Sequence, residues 1–187
     1  MKKILSIILC ILSLITGCNQ KEEIKTIDEV NIKDLQRYKG ILVGNNSGVS
    51  SIINSLPGGS TYKEFELSDR SIKVIYGLKE DKSTLTKEEL HTYWLNEHNI
   101  EKNFLYNATA IFILVQNAEK VTLELESEQD YSFSISREEL NKIVPHSLSD
   151  YAQNINLWKE EILDILIKQD SNRKEFFSKY PKGLVIG

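Results

Sequence analysis

The sequence has only two cysteines, Cys10 and Cys18, and both lie close to the N-terminus. The rest of the chain has no cysteine pair for a disulfide, so its stability must come from a hydrophobic core. The sequence also lacks a long membrane-spanning run. The apolar stretch from Ile4 to Ile15 would cover about 18 Å as a helix. Because the hydrocarbon core of a bilayer is about 30 Å thick, this stretch is too short for a permanent span.

The first eighteen residues show the order of features found in a bacterial lipoprotein signal. Lys2-Lys3 forms a short cationic region, the apolar stretch follows, and Ile15-Thr16-Gly17 leads to Cys18. This last segment resembles the lipobox, in which small residues precede a cysteine that receives a diacylglyceryl group. We expect residues 1–17 to leave as a signal peptide and the lipid on Cys18 to anchor the chain at the extracytoplasmic face of the cell membrane. The alternatives are a signal peptide with an incidental cysteine and a short membrane anchor.

The chain has no excess of positive charge, because its formal net charge is −4. It becomes more negative when the two lysines of the signal peptide are removed. An acidic surface argues against nucleic acid or anionic lipid as the main partner. The abundance of Lys, Ile and Asn is typical of low-GC Gram-positive bacteria. We expect residues 18–30 to form a polar tether and residues 31–187 to form one domain.

Two pairs of short strands are predicted by alternating apolar and polar residues. The first pair covers 61–67 and 72–76, and the second covers 121–125 and 131–135. Each pair is joined by a short polar connection, which favours a hairpin. Strict alternation predicts that one sheet face is buried and the other is wet, as in antiparallel sheets covered on one side.

Helices are predicted between and after the hairpins. Capping boxes at Thr86–Glu89 and Ser136–Glu139 mark two helix starts. Other helices are predicted at 46–56, with Asn46 or Ser47 as the cap, at 100–116, and as one amphipathic helix at 149–168. The stretch 110–115 has a strand as its alternative, and the tail 182–187 is either a last strand or a frayed end. The expected class is α+β, with an antiparallel sheet of two hairpins and helices packed on one face.

Several segments resemble a bacterial domain-of-unknown-function family, number 4825. Tyr38-Lys39-Gly40 and the stretch from Val43 to Pro57 resemble its opening motif, Asn107 to Leu114 its central helix, and Tyr131 to Leu140 its strand-to-helix junction. The resemblance covers about residues 36–143 and leaves a C-terminal helical extension at 147–180. It implies a lipoprotein-borne extracytoplasmic domain, of a type also attached to membrane zinc metallopeptidases that sense β-lactams. The resemblance brings no established activity, so it assigns no functional residue.

The loop before the first long predicted helix is the candidate ligand site. Gly44, Asn45, Asn46 and Ser47 precede a helix N-terminus, whose free N–H groups can hold an anion or a carboxylate. The alternative is that Asn46 or Ser47 only caps the helix and the glycines only allow a turn.

Other candidate residues point to structure rather than chemistry. His91 and His98 are about 10 Å apart along a helix, too far for one zinc ion, and with His146 they are expected to be exposed. Trp94 and Trp158 are expected in the core. We therefore predict no catalytic residue, no metal and no cofactor.

The expected function is that of a noncatalytic binding or sensing module outside the membrane. Its partner would be an envelope protein or a small ligand, in addition to the membrane that the lipid on Cys18 enters. Two alternatives stay open. One is an envelope-acting hydrolase without a recognisable motif, and the other is a structural or assembly lipoprotein.

Overall fold

The computed structural model describes residues 23–79, 84–96 and 98–185, without the side chains of 184 and 185. The lipobox and Cys18 lie outside these residues. The helices are α1 (Ile32–Gln36), α2 (Asn46–Ser55), α3 (Lys87–Leu95), α4 (Asn99–Leu114), α5 (Arg137–Asn141), α6 (Leu148–Gln153), α7 (Ile155–Leu157), a π-helix (Trp158–Ile167) and α8 (Asp170–Lys179), with 3₁₀ turns at Ile27–Glu29 and Gly59–Thr61. The strands are β1 (Tyr62–Ser68), β2 (Ser71–Tyr76), β3 (Lys120–Leu125), β4 (Asp130–Ser136) and β5 (Gly183–Val185).

The five strands form one sheet in the order β1-β2-β3-β4-β5. The predicted hairpins β1–β2 and β3–β4 are antiparallel, and β5 pairs antiparallel with β4, so the described part of the tail is a last strand. The expectation of a purely antiparallel sheet is wrong, because β2 and β3 run parallel with Ile72 beside Val121. Parallel neighbours need a long crossover, which α3 and α4 supply here. The fold is α+β with a mixed sheet.

The two faces of the sheet differ as the alternation predicts. Val74, Leu123 and Phe133 point to a face on which they are almost fully buried. The opposite face carries polar contacts, including an ion pair of 3.0 Å between Lys73 and Glu124. The helices therefore pack on one face, and the other stays wet.

Helix α4 forms the centre of the core. Its residues from Asn103 to Leu114 are all buried, so it is enclosed on every side and not only along one stripe. The predicted helix at 100–116 is confirmed with slightly shorter bounds. The strand alternative holds for Val115 alone, which leaves the helix and makes an isolated parallel bridge with Ile41.

Helix starts follow the predicted capping chemistry in two places. The boxes at Thr86–Glu89 and Ser136–Glu139 both form. The side-chain and backbone hydrogen bonds from Ser136 lower the pKa of Glu139, so this carboxylate stabilises the fold above its unfolded pKa and loses that effect as the pH falls. The predicted cap of α2 is wrong, because Asn45 takes that position.

The single helix predicted at 149–168 is wrong. Asn154 adopts an extended conformation that ends α6, and its side chain accepts hydrogen bonds from the backbone N–H groups of Asn156 and Leu157 at 3.1 and 3.2 Å. After the short α7, residues Trp158–Ile167 form a π-helix, whose i→i+5 hydrogen bonds change the angular spacing of side chains. Ile165, which an α-helical stripe would bury, is 40% exposed as a result.

A buried hydrogen-bond network fixes the turn after α2 against α3 and α4. The indole N–H of Trp94 donates to the Thr61 hydroxyl at 3.1 Å, and that hydroxyl donates to the Gly58 carbonyl at 2.7 Å. The Asn107 amide donates to the Pro57 carbonyl and to the Tyr76 hydroxyl, both at 3.0 Å. These hydrogen bonds give the turn one position, although Oδ1 of Asn107 accepts no hydrogen bond within the described residues.

Replacing Gly58 with alanine tests how tightly this turn is packed. Gly58 has a φ of +72°, and an added Cβ would lie 2.5 Å from Cζ2 of Trp94. We expect Gly58→Ala to lower the free energy of unfolding by about 3 kcal/mol, combining left-handed strain with overpacking.

Gly40→Ala is the matched control for that change. Gly40 has a φ of +80°, and an added Cβ would meet nothing within 4 Å, so we expect a loss of only about 1 kcal/mol. Urea unfolding followed by far-ultraviolet circular dichroism measures both variants. Equal losses would contradict the packing at Trp94.

Candidate functional site

A cleft of about 550 Å³ opens between the C-terminal end of α4, α5 and α6, and we call it the cleft. Its floor is apolar and buried, with Phe112, Ile113, Leu148 and Ala152. Its polar lining consists of Lys39, Gln116, Arg137, Asn141, Ser147, Ser149 and Gln153, together with the backbone of Gly40. Among these residues are two cations and no carboxylate.

Arg137 holds the end of α4 in place from the side of the cleft. Its Nε donates to the Ala118 carbonyl at 2.6 Å, and its Nη2 donates to the carbonyls of Phe112 and Val115 at 2.9 and 2.7 Å. The guanidinium also lies 5.2 Å from the ring centroid of Phe112. The Phe112 carbonyl lies in the last turn of α4 and the carbonyls of Val115 and Ala118 follow it, so Arg137 caps the C-terminal end of that helix. The Val115 carbonyl also accepts from the Ala118 N–H at 3.2 Å.

The sequence places Arg137 by local capping. Ser136 ends β4 and is the N-cap of α5, so Arg137 is the first residue of that helix. The Ser136–Glu139 capping box fixes the direction of the backbone at this junction. The Arg137 side chain therefore leaves the sheet edge at one angle, toward the end of α4.

The charge of Arg137 is not cancelled by an ion pair within the described residues. Burial lowers the pKa of its guanidinium, and the nearby Glu119 carboxylate opposes this decrease. Glu119 itself is paired with Arg70. A guanidinium remains protonated at neutral pH even when it is partly buried, so the cleft keeps a positive charge on its wall.

Lys39 brings the second cation to the cleft. It follows α1 and precedes Gly40, whose φ is +80° and whose N–H donates to the Leu114 carbonyl at 2.9 Å. This turn anchors the segment to α4 and leaves the Lys39 side chain exposed at the rim. Within the described part of the chain, Lys39 forms no ion pair.

A second cavity, of about 420 Å³, lies between residues 142–145, the π-helix and α8, and we call it the groove. Its two lysines are each paired with a carboxylate, Lys142 with Glu138 and Lys179 with Glu175, both at N–O distances of 2.7–2.8 Å. These pairs raise the pKa values of both lysines. The groove therefore offers no unpaired cation, in contrast to the cleft.

Side-chain contacts beside the groove join α6 and the segment before it to the π-helix. The Tyr151 hydroxyl donates to Oε2 of Glu161 at 2.7 Å, and Nε2 of His146 lies 3.2 Å from Oε1 of the same carboxylate. Burial is the main cause that raises the pKa of Tyr151, and the hydrogen bond to Glu161 adds to it. This contact fixes the segment that separates the groove from the cleft.

The loop that the sequence favours as a ligand site lies away from both cavities. Gly44, Asn45, Asn46 and Ser47 are exposed and line neither of them. Oδ1 of Asn45 accepts from the Gly48 N–H at 2.9 Å and from the Ser47 hydroxyl at 3.1 Å. The structure thus gives the loop a capping arrangement, and its ligand role stays a prediction.

The tryptophans and histidines differ in burial as expected, but His98 lies outside α3, in a left-handed conformation before α4, so the prediction that it shares a helix with His91 is wrong. Trp94 and Trp158 are fully buried, while His91, His98 and His146 are exposed. Within the described residues, no group of three or more His, Cys, Asp or Glu side chains is arranged to hold a metal ion.

Asn45→Ala tests the capping arrangement of the loop. We expect the free energy of unfolding to fall by about 1 kcal/mol, because the Gly48 N–H loses its acceptor. Ser47→Ala is the control and should cost less than about 0.5 kcal/mol, since the Ser47 hydroxyl caps no backbone group. Chemical denaturation of the two variants decides, and the opposite ranking would show that Ser47 is the cap.

Comparison with known families places these residues in context. Residues 35–136 match the family described as Domain of unknown function (DUF4825), and this range is more than half of the chain. No curated protein and no solved structure is significantly similar to the chain. Lys39, Phe112 and Ile113 of the cleft lie inside the matched range, and Arg137 follows it by one residue. The chain belongs to the DUF4825 family.

Proposed function

We propose that this chain is a noncatalytic binding module, anchored by a lipid on Cys18 at the outer face of the cell membrane, and that the cleft is its binding site. The observation that carries the proposal is the lining of the cleft, where hydrogen-bond donors and two cations surround a buried apolar floor. A few polar groups around an apolar floor are the usual composition of a small-ligand site.

The chemistry of the lining favours binding over catalysis. General acid–base catalysis relies most often on His, Asp or Glu, and a serine nucleophile needs an adjacent general base. The described lining contains serines and a lysine but no His, Asp, Glu or Cys. Arg137 is also fixed by three carbonyl groups, so its guanidinium is preorganised to hold a ligand. A hydrolase would have to place its reacting groups elsewhere on the surface.

The proposed location comes from the sequence. The cationic start, the apolar stretch and the lipobox-like residues before Cys18 support export and lipidation. Within the described residues, no helix is long and apolar enough to cross a membrane.

Cys18→Ser tests the anchor. In cells fed an alkyne fatty acid, we expect the variant to take up no label and to leave the membrane fraction, because the serine cannot carry the thioether-linked lipid. Cys10→Ser is the matched control and should remain labelled and membrane-bound, since Cys10 lies in the signal peptide. Equal labelling of both variants would contradict lipidation at Cys18.

A photo-crosslinking amino acid in place of Ser149 tests binding at the cleft. Ser149 is exposed on the rim, so a bound molecule would come within reach of the photoactive group. In cells that make the full-length protein, we expect a discrete adduct, detected by mass spectrometry. The same substitution at Ser178, exposed on α8 and outside both cavities, is the control. Background labelling at both positions would overturn the proposed site.

A further inference from the structure

The lining of the cleft also indicates which chemical group its ligand carries. Resting on the proposed function, we infer that the cleft selects ligands with an oxyanion, a carboxylate or a phosphate, which Arg137 and Lys39 bind. The carbon skeleton of the ligand lies on the apolar floor. The inference concerns the cleft alone and assigns no role to the groove or to the loop at 44–47.

The charged residues in the described lining of the cleft are both cations. The chain as a whole is acidic, with a formal net charge of −4, yet the described lining of the cleft has Lys39 and Arg137 and no carboxylate. In the groove, by contrast, Lys142 and Lys179 are paired with glutamates. A cleft with low-dielectric walls and charge of one sign concentrates ligands of the opposite sign.

Arg137 has more hydrogen-bond donors than its three carbonyl partners use. A guanidinium has five N–H donors. One on Nε and two on Nη2 are used by the carbonyls of Ala118, Phe112 and Val115. Within the described residues, nothing accepts a hydrogen bond from Nη1. The side chain is thus immobilised through three donors and retains two for an oxyanion, without a further cost of ordering.

The neutral carbonyl groups that Arg137 binds do not cancel the positive charge of its guanidinium. Two other arginines, unlike Arg137, each form an ion pair with a carboxylate. Arg70 pairs with Glu119, and Arg173 pairs with Asp170. Arg137 lies near Glu119, which is itself paired with Arg70, and faces the partial negative charge of the end of α4, which amounts to about half an elementary charge. The site keeps a net attraction for an anion.

The remaining lining sets what else the ligand needs. Ser149 supplies a hydroxyl, and Asn141 and Gln153 supply amides, all exposed at the rim. The Ser147 hydroxyl donates to Oδ2 of Asp150 at 2.6 Å in the capping box of α6. Phe112 and Leu148 form part of the buried floor. An amphiphilic anion, with its charged group at Arg137 and an apolar or sugar-like body beside α6, matches this distribution.

Isothermal titration of the full-length, detergent-solubilised protein tests the inference. The probes are phenyl phosphate and benzoate, with benzyl alcohol as the neutral probe of the same ring. We expect at least one anion to bind at least tenfold more tightly than benzyl alcohol, and its affinity to fall as salt is added. Phosphate and carboxylate sources are distinguished by which of the two anions binds. Equal binding of all three probes, or of none, would overturn the oxyanion preference.

Charge reversal at Lys39 is the matched test in the chain. Lys39→Glu should weaken binding of the preferred anion at least tenfold. Lys33→Glu makes the same change at an exposed lysine on α1 outside the cleft and should alter affinity less than twofold. Equal losses in both variants would show long-range attraction only and would overturn a built site.

Arg137→Lys separates folding from binding. If circular dichroism shows a folded variant, we expect at least a tenfold loss of anion affinity, because one ammonium cannot both cap α4 and hold an oxyanion. Unchanged affinity in a folded variant contradicts the inference, and if the variant is unfolded, the Lys39 pair decides. A crosslinked adduct at Ser149 without anion binding would contradict the oxyanion inference and leave the proposed binding site standing. Background labelling at both Ser149 and Ser178 would instead contradict the proposed binding site itself.

Discussion

The capping of α4 by Arg137 is the interaction on which the arrangement of the domain depends. The residues of helix α4 from Asn103 to Leu114 are buried, and its last carbonyls need hydrogen-bond partners. By donating to Phe112, Val115 and Ala118, Arg137 joins the end of this helix to the segment that enters β3 and to the start of α5. Loss of that side chain would remove a hydrogen bond from each of three carbonyls at the junction of sheet and helices, although the Val115 carbonyl would still accept from the Ala118 N–H at 3.2 Å.

The same guanidinium connects fold and proposed function. Its position is set by structural hydrogen bonds, and what remains of its donor capacity lies at a cleft with no carboxylate in its described lining. One wall of the cleft, with Lys39 and the end of α4, belongs to the range shared with the DUF4825 family. The other wall, from Ser147 to Gln153, lies in the C-terminal extension beyond that range.

What the sequence could predict is local. The capping boxes at Thr86 and Ser136, the two hairpins and the helix predicted at 100–116 depend on neighbouring residues, and they are confirmed. The parallel pairing of β2 with β3 depends on a long crossover and has no local signal. The break at Asn154 was hidden because apolar spacing continues across it. The cleft was missed because Lys39 and Arg137 are far apart in sequence and meet only through α4.

Nuclear magnetic resonance of the arginine side chains tests whether Arg137 is a preorganised oxyanion site. The chain has four arginines, Arg37, Arg70, Arg137 and Arg173, so their signals can be told apart. Guanidinium ¹H–¹⁵N signals would be recorded during titration with phenyl phosphate. We expect Arg137 to have slowly rotating Nη groups in the free protein, and its signals alone to shift strongly when the anion binds. Fast rotation of Arg137, or equal shifts of all four arginines, would contradict a preorganised oxyanion site.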